Sequence, residues 1–397
     1  VPDGSAPTAP AVVCPAVSAA PTATTSPSSS TTKLTFASDA AFQRELRRRV
    51  DAYFVDNGID KTADRAMWLK VAFWLVASAG LFAATILLPI PAVAAIALWT
   101  VCGFCLAVIE MNVGHDAIHG SLSKHKRVNA LFSWTFDCLG ASSATWRIAH
   151  NLVHHTYTNV PGVDTDVEPG PLLRFHTEAK RYPWHRAQAV YAWALYCLVS
   201  VLWVYQRDFA LILQRHPRTG RRHPLSAWVA LFVGKAMHIG IFLVVPLLFS
   251  AQSTTTTLLG YLGFHVAAGL TLSVVFQLAH VVEGVRSIRP VDDAHLPYGF
   301  MAHELMTTAN FGTSPVLTFF TGGLDHQVEH HLFPSICHTH YAALSPIVAA
   351  CAREHGLPYL HSGSFVAACV SHTRMLHRLG RGEDTNRLAP AVDGARA

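Results

Sequence analysis

The chain has 397 residues, 51% of them hydrophobic and only 14% charged, and its mean hydropathy is +0.29. Soluble globular proteins carry about 25% charged residues, so this composition excludes an ordinary soluble enzyme and points to one main membrane domain. The net charge of +5 is too small for nucleic-acid binding by the whole protein, whereas 24 histidines nearly match the 25 acidic residues.

Residues 1–33 are Ala, Pro, Ser and Thr with almost no charge. No basic stretch precedes an apolar core there, so a disordered tail is expected rather than a signal peptide. In FASDAAFQRELRRRVDAYF, the residues Phe42, Leu46, Val50 and Tyr53 recur at helical spacing, opposite Arg44, Arg47, Arg48 and Arg49. That pattern predicts a helix lying on an anionic membrane surface, or an ordinary solvated helix.

Apolar runs follow at 71–88 and 91–109, joined by Pro-Ile-Pro, and at 227–249 and 257–279, joined by the uncharged SAQSTTTT. Each can cross a hydrocarbon core of about 30 Å, and such short links require two hairpins. Lys124, Lys126, Arg127, Arg215, Arg218, Arg221, Arg222, Arg286 and Arg289 lie at the opposite ends of the runs. By the positive-inside rule those ends, and both termini, are expected in the cytosol.

A fifth run, 187–205, is expected to lie flat in the interface. Lys235 and His238 fall inside the third run. Ionisable groups at that depth suggest a function, although Lys235 is near enough to an end to snorkel. Residues 379–397 read as a polar tail. The eight cysteines form no secreted spacing pattern, so reduced thiols are expected.

Three histidine clusters stand out. GHDAIHG places His115 and His119 just past the second run. HNLVHH carries His150, His154 and His155. HQVEHHLFP carries His326, His330 and His331 around Gln327, and His280 ends the fourth run in FQLAHVVEG. Spacings of three and four put side chains on one helix face, where they can reach a common point. Eight neutral imidazoles (115, 119, 150, 154, 155, 280, 330 and 331) left unpaired beside a bilayer would be costly, and a metal cluster satisfies them together.

Imidazole suits Zn, Cu, Fe and Ni. One zinc ion takes only about three or four protein ligands, so eight imidazoles imply two ions. A zinc protease needs HExxH. HDAIH has Asp in place of the base, and HELMT (303–307) lacks the second histidine. A two-iron site is the best fit. All clusters must then meet on one face, so the chain crosses an even number of times between His155 and His330. That count excludes the 187–205 run as a span. The expected fold is an all-α integral membrane protein, with four transmembrane helices in two hairpins and a cytosolic helical cap holding a di-iron site.

The segments GHDAIHG, HNLVHHTYTN, FQLAHVVE, TTANF and GGLDHQVEHHLFP, in this order, resemble the membrane fatty acid desaturases. The resemblance covers roughly residues 34–378, and the third box has the QxxHH form of the front-end branch and of many bacterial acyl desaturases. It implies a di-iron enzyme that uses O2 and two electrons to remove two hydrogens from a fatty acyl chain linked to CoA or to a lipid. Carried over by position, the metal ligands are His115, His119, His150, His154, His155, His280, His330 and His331. Gln327 stands in the variable place, and His326, four residues before His330, is an alternative there. No HPGG haem-binding segment is present, so the resemblance implies electrons from a separate ferredoxin or cytochrome b5 and its NAD(P)H reductase. Ala- and Arg-rich composition hints at a bacterial cytoplasmic membrane.

Asp116, Asp164, Asp166 and Glu329 are candidates to orient the ligand rings. His303, His338 and His340 are expected to be supporting groups rather than ligands. Trp146, Phe276 and Phe311 are candidates for the wall of an acyl tunnel. Two rival functions remain open at this point. One is a di-iron lipid hydroxylase, epoxidase or ketolase. The other is a metal-handling membrane protein without redox chemistry, which would place histidines along a path inside the spans.

Overall fold

The computed structural model describes residues 34–292, 294–312 and 314–390; the tail expected at 1–33 lies outside them. The described chain is mostly helical, and its only named strands are the two-residue pairs Thr35–Phe36 and His295–Leu296. Among the described residues, four helices are long and apolar enough to cross a membrane: Arg65–Leu87, Ala92–His119, Leu225–Phe249 and Thr254–His280. They coincide with the four expected runs, with ends displaced by up to ten residues.

The largest displacement matters for the site. GHDAIHG does not follow the second span but forms its last turns. The helix passes through a π segment, Glu110–Gly114, and continues as His115–His119. At the far ends, the links between spans lie side by side: Ala251 N–H donates to Ile86 O (2.9 Å) and Gln252 Nε2 to Leu88 O (2.9 Å). Apolar side chains around these spans stay exposed, as hydrocarbon-facing residues must. Leu69, Val76, Val93 and Leu248 are each at least 69% exposed.

The second and fourth spans make the most intimate contact, because small residues let their backbones approach closely. A Cβ at Gly103 would overlap the Phe264 carbonyl, and one at Gly260 would overlap the Trp99 ring. Gly103→Leu must therefore push the two helices apart. It is expected to cost about 1–3 kcal/mol, read as a lowered thermal unfolding midpoint in detergent.

The 187–205 region is a bent pair, Pro183–Tyr196 and Val199–Leu213, with 69° between its halves. Its elbow packs on the fourth span, where a Cβ at Gly269 would lie 2.8 Å from Tyr196 O. Its second half is fastened by Lys235. That side chain does not snorkel: it is buried, with Nζ 2.6 Å from Asp208 Oδ2 and 3.1 Å from Trp203 O. Asp208 also accepts from Thr145 Oγ1 (2.7 Å) and Ser142 N–H (2.8 Å), so the ion pair is satisfied on both sides. His238 is likewise a bonded core residue, between Cys138 O (2.9 Å) and Tyr261 Oη (3.0 Å).

The arginine-rich helix, Ala40–Asn57, buries Phe42, Leu46, Val50 and Phe54 against Leu344, Val348 and Cys351 of the helix Tyr341–Glu354. Its apolar stripe is thus covered by protein instead of by lipid, and Arg49 pairs with Glu354 (2.5 Å). The last long helix, Phe365–Arg381, runs into the stretch read as a polar tail. All seven cysteines among the described residues are free thiols.

Candidate metal centre and acyl cavity

The three histidine clusters and His280 meet at one place. His115 and His119 come from the end of the second span, and His280 from the end of the fourth. His150 and His154 sit on a π-helical segment, Arg147–His154, with His155 closing it. His330 and His331 lie on the short helix Gln327–Leu332.

The rings sort into two groups. Ring nitrogens of His115, His119, His150 and His330 lie within 4.8 Å of one another, and so do those of His154, His280 and His331. His155 stands between, its ring centroid 4.5 Å from His330 and 4.4 Å from His331. Asn159 turns the chain after this segment in the left-handed region (φ 54°). Its Nδ2 donates to His280 O (2.9 Å), which ties the second cluster to the fourth span.

These rings could hold cations. Seven of the eight keep a buried nitrogen with no hydrogen-bond partner: Nδ1 of His115 and His155, and Nε2 of His119, His154, His280, His330 and His331. Orphaned polar atoms on this scale are expensive unless a ligand takes them. A protein group holds the opposite nitrogen in four of these seven, and also Nδ1 of the eighth ring, His150, whose Nε2 lies 3.1 Å from His155 Nε2. Asp164 Oδ2 lies 2.9 Å from His154 Nδ1, Asp166 Oδ2 3.3 Å from His150 Nδ1, and Glu304 Oε2 2.9 Å from His331 Nδ1. Tyr341 Oη lies 3.2 Å from His330 Nδ1, and Thr307 O 3.4 Å from His280 Nδ1. One nitrogen oriented by the protein and the other left bare is the arrangement of metal-bound histidine.

Burial and the surrounding imidazoles hold His150, His155, His330 and His331 well below the usual histidine range. They are therefore neutral, the form that ligates. At His154 burial works in the same direction, but the Asp164 carboxylate outweighs it and raises the ring.

Two of the four expected ring-orienting carboxylates do that work, Asp164 and Asp166. Asp116 instead contacts His338 (2.8 Å) and the Cys337 thiol (3.1 Å), and Glu329 accepts from Asn310 (2.7 Å) and Tyr359 (2.8 Å). Glu304 and Tyr341 went unread in the sequence. HELMT does contain Glu304, but only folding places it against His331. Asp116, Cys337 and His338 form another compact trio, yet they bond to each other, and Lys70 Nζ stands 3.2 Å from His338 Nε2, so a cation there meets a charge already in place. His303 is bound to Thr158 O (2.8 Å), and His340 stacks edge-on against Phe54. Gln327 is buried and shares a cavity wall with His115, His150 and His330. His326 points elsewhere, to Ser345 Oγ (3.0 Å).

That cavity has a volume of about 630 Å³, inside the range of ligand pockets. Apolar side chains dominate its wall, among them Phe136, Leu195, Leu202, Leu272 and Phe276. Trp146 also lines it and stacks on His150 (4.5 Å, 25° between planes). Phe311 does not: it is buried in the core, 6.3 Å from Phe365. An apolar cavity with His115, His150 and His330 in its wall suits a hydrocarbon chain.

The fatty acid desaturase family profile matches residues 90–363. The chain belongs to the fatty acid desaturase family. This desaturase is 32% identical to the sn-1 linoleoyl-lipid 6-desaturase of Arthrospira platensis over 374 residues, covering 91% of this chain and 98% of the relative. It is 32% identical to the enzyme of the same name from Synechocystis sp., over 88% of this chain and 98% of the relative. To the acyl-lipid (8-3)-desaturase of Physcomitrium patens it is 31% identical, over 85% of this chain and 72% of the relative. The desaturase is thus a membrane oxidoreductase of fatty acyl chains.

Proposed function

We propose that this desaturase holds two iron ions and uses O2, with two electrons from a separate ferredoxin or cytochrome b5, to introduce a double bond into a lipid- or CoA-linked acyl chain. The QxxHH box and the relatives named for 6-, (8-3)- and (7-3)-desaturation support a front-end reaction, on the carboxyl side of a bond already present. The observation that carries the reading is the pair of imidazole groups with bare nitrogens at the wall of an apolar cavity.

His115, His119, His150 and His330 would hold one iron and His154, His280 and His331 the other, with His155 between and Gln327 beside the first group. When bound, iron supplies the oxidising chemistry that an unactivated C–H bond requires. The protein supplies placement. Trp146 and Phe276 confine the chain against the rings, and Asp164, Asp166, Glu304 and Tyr341 fix the ring orientations. The apolar wall would exclude water from the bound acyl chain. A two-hairpin membrane arrangement, with the metal groups at the cytosolic ends, is supported by the bonded links at the opposite ends.

The test is the lipid profile of a host expressing the protein and fed defined fatty acids. Acyl chains lighter by two hydrogens are expected. Chains heavier by one oxygen atom would replace desaturation by hydroxylation or epoxidation. Fewer than two irons per chain after anaerobic, iron-replete purification would remove the di-iron assignment.

A further inference from the structure

The bent pair supplies more of the acyl cavity's wall than any one span. Its second half carries a π segment, Trp203–Arg207, whose Trp203, Gln206 and Arg207 line the cavity. Such π turns interrupt helices frequently at functional positions. Two side chains of this one connect to the segment Arg147–His154, which carries His150.

The first connection is ionic. The Arg207 guanidinium donates to Asp166 Oδ1, and Asp166 Oδ2 lies 3.3 Å from His150 Nδ1. The Arg207 side chain is 35% exposed and that of Asp166 only 4%, so the cation stands at the rim and the carboxylate inside. Arg207 is the only Lys or Arg paired with Asp166 among the described residues. Asp164, another buried carboxylate, accepts from Asp166 N–H (3.0 Å). Without Arg207, Asp166 would be a buried charge beside a like charge, with nothing to fix the place from which it holds the ring.

The second connection is aromatic. The Arg207 guanidinium lies 5.5 Å from the centroid of the Trp203 ring, within cation–π reach. Trp203 meets Trp146 at 4.9 Å, and Trp146 stacks on His150 at 4.5 Å. Arg207, Asp166, His150, Trp146 and Trp203 thus close a circuit, and all five line the acyl cavity. A hydrocarbon chain in that cavity would pack against the two tryptophans that bear on His150.

We propose that Arg207 is a positioning residue for the first imidazole group, and that the circuit it closes makes an ion in that group and an acyl chain in the cavity bind cooperatively. This rests on the two-metal desaturase reading and adds to it a link between its two sites. The ion pair fixes the His150 ring, and the tryptophans carry the presence of the chain to the same ring. Such coupling is reciprocal: the chain strengthens the ion by the factor by which the ion strengthens the chain. The second group has its own carboxylates, Asp164 on His154 and Glu304 on His331, and lies outside the circuit.

The experiment uses the full-length protein in nanodiscs of a branched-chain ether lipid, freed of iron and titrated anaerobically with cobalt(II), whose ligand-field absorption follows each ion bound. Titrations run with and without linoleoyl chains, offered on phosphatidylglycerol and galactosyldiacylglycerol together. In the unsubstituted protein two cobalt ions bind, and the chains tighten one of them by about fivefold or more. In Arg207→Gln that ion weakens by about tenfold or more, its spectrum no longer responds to the chains, and the other ion is unchanged. Arg207→Lys recovers part of the affinity, because it keeps the charge at Asp166 and loses the flat stacking group. Trp203→Leu keeps the affinity and loses the response to the chains.

Equal cobalt affinity in Arg207→Gln and the unsubstituted protein overturns the proposal. So does an equal weakening of both ions, or of Arg207→Gln and Arg207→Lys, which marks a structural role. A spectrum of the unsubstituted protein that ignores the chains overturns it as well. If Arg207→Gln does not insert, Trp203→Leu decides, and a response to the chains that survives in it overturns the proposal. Fewer than two cobalt ions in the unsubstituted protein is the failure of the two-metal reading itself; it is seen before any variant is compared, and takes the proposal with it.

Discussion

Membranes containing His331→Ala or His154→Ala are expected to yield no detectable new double bond, while the protein inserts and accumulates as before. Both rings are completely buried, and each has a bare Nε2 in the three-histidine group and a carboxylate on Nδ1. Loss of one removes a third of that group's imidazoles and strands a buried carboxylate. Removing a mere orienting partner of a metal ligand costs about 10–100-fold in metal affinity or activity, and deleting a ligand should exceed that. The check is iron per chain together with the lipid profile. Substantial desaturation by either variant takes that residue out of the ligand set.

Glu304→Ala should have the second-largest effect, about 10–100-fold in desaturation and in iron retention, although Glu304 itself would touch neither iron nor substrate. Its Oε2 accepts from Thr158 Oγ1 (2.8 Å) and holds His331 Nδ1. Burial pushes this carboxyl well above the ordinary carboxylate range, and the positive charge of an ion on the other face of His331 pulls the opposite way. Glu329→Gln is the matched control. Glu329 is equally buried and one residue from His330, but its bonds run to Asn310 and Tyr359. It should cost stability and leave iron retention intact. Partial recovery of iron by Glu304→Asp would mark a positioning role, and equal iron loss in the Glu304 and Glu329 variants would reduce both to structural groups.

Much of this was legible without coordinates, for a local reason. Membrane spans announce themselves by composition over about 20 residues, and a histidine box announces itself by spacing within one turn of helix. The spans at Arg65–Leu87 and Thr254–His280 and the boxes at 150–155 and 330–331 need no knowledge of distant residues. Even the convergence of the boxes followed from the number of bare imidazoles that had to be satisfied.

The misreadings share the opposite cause. Lys235 looked like a snorkelling residue because its partner, Asp208, is 27 residues away on a helix whose path the sequence does not disclose. The apolar stripe read as Phe42, Leu46, Val50 and Tyr53 suited a bilayer as well as it suited the helix Tyr341–Glu354, against which Phe54 is buried and Tyr53 only partly. The second span appeared to end before GHDAIHG because Glu110 and Asn112 break its hydropathy, whereas the backbone continues through them as a π segment.

By itself, the order of residues determined four stretches apolar enough to cross a membrane and eight imidazoles to satisfy, since hydropathy and helical spacing are properties of short segments. Only the tertiary structure decided how those imidazoles divide into four, three and one between, and that Asp164, Asp166, Glu304 and Tyr341 orient their rings. It alone also set the acyl cavity against His115, His150 and His330. Such pairings are contacts between residues up to two hundred positions apart, and it is the packing of the whole helical assembly, not any local period, that selects them.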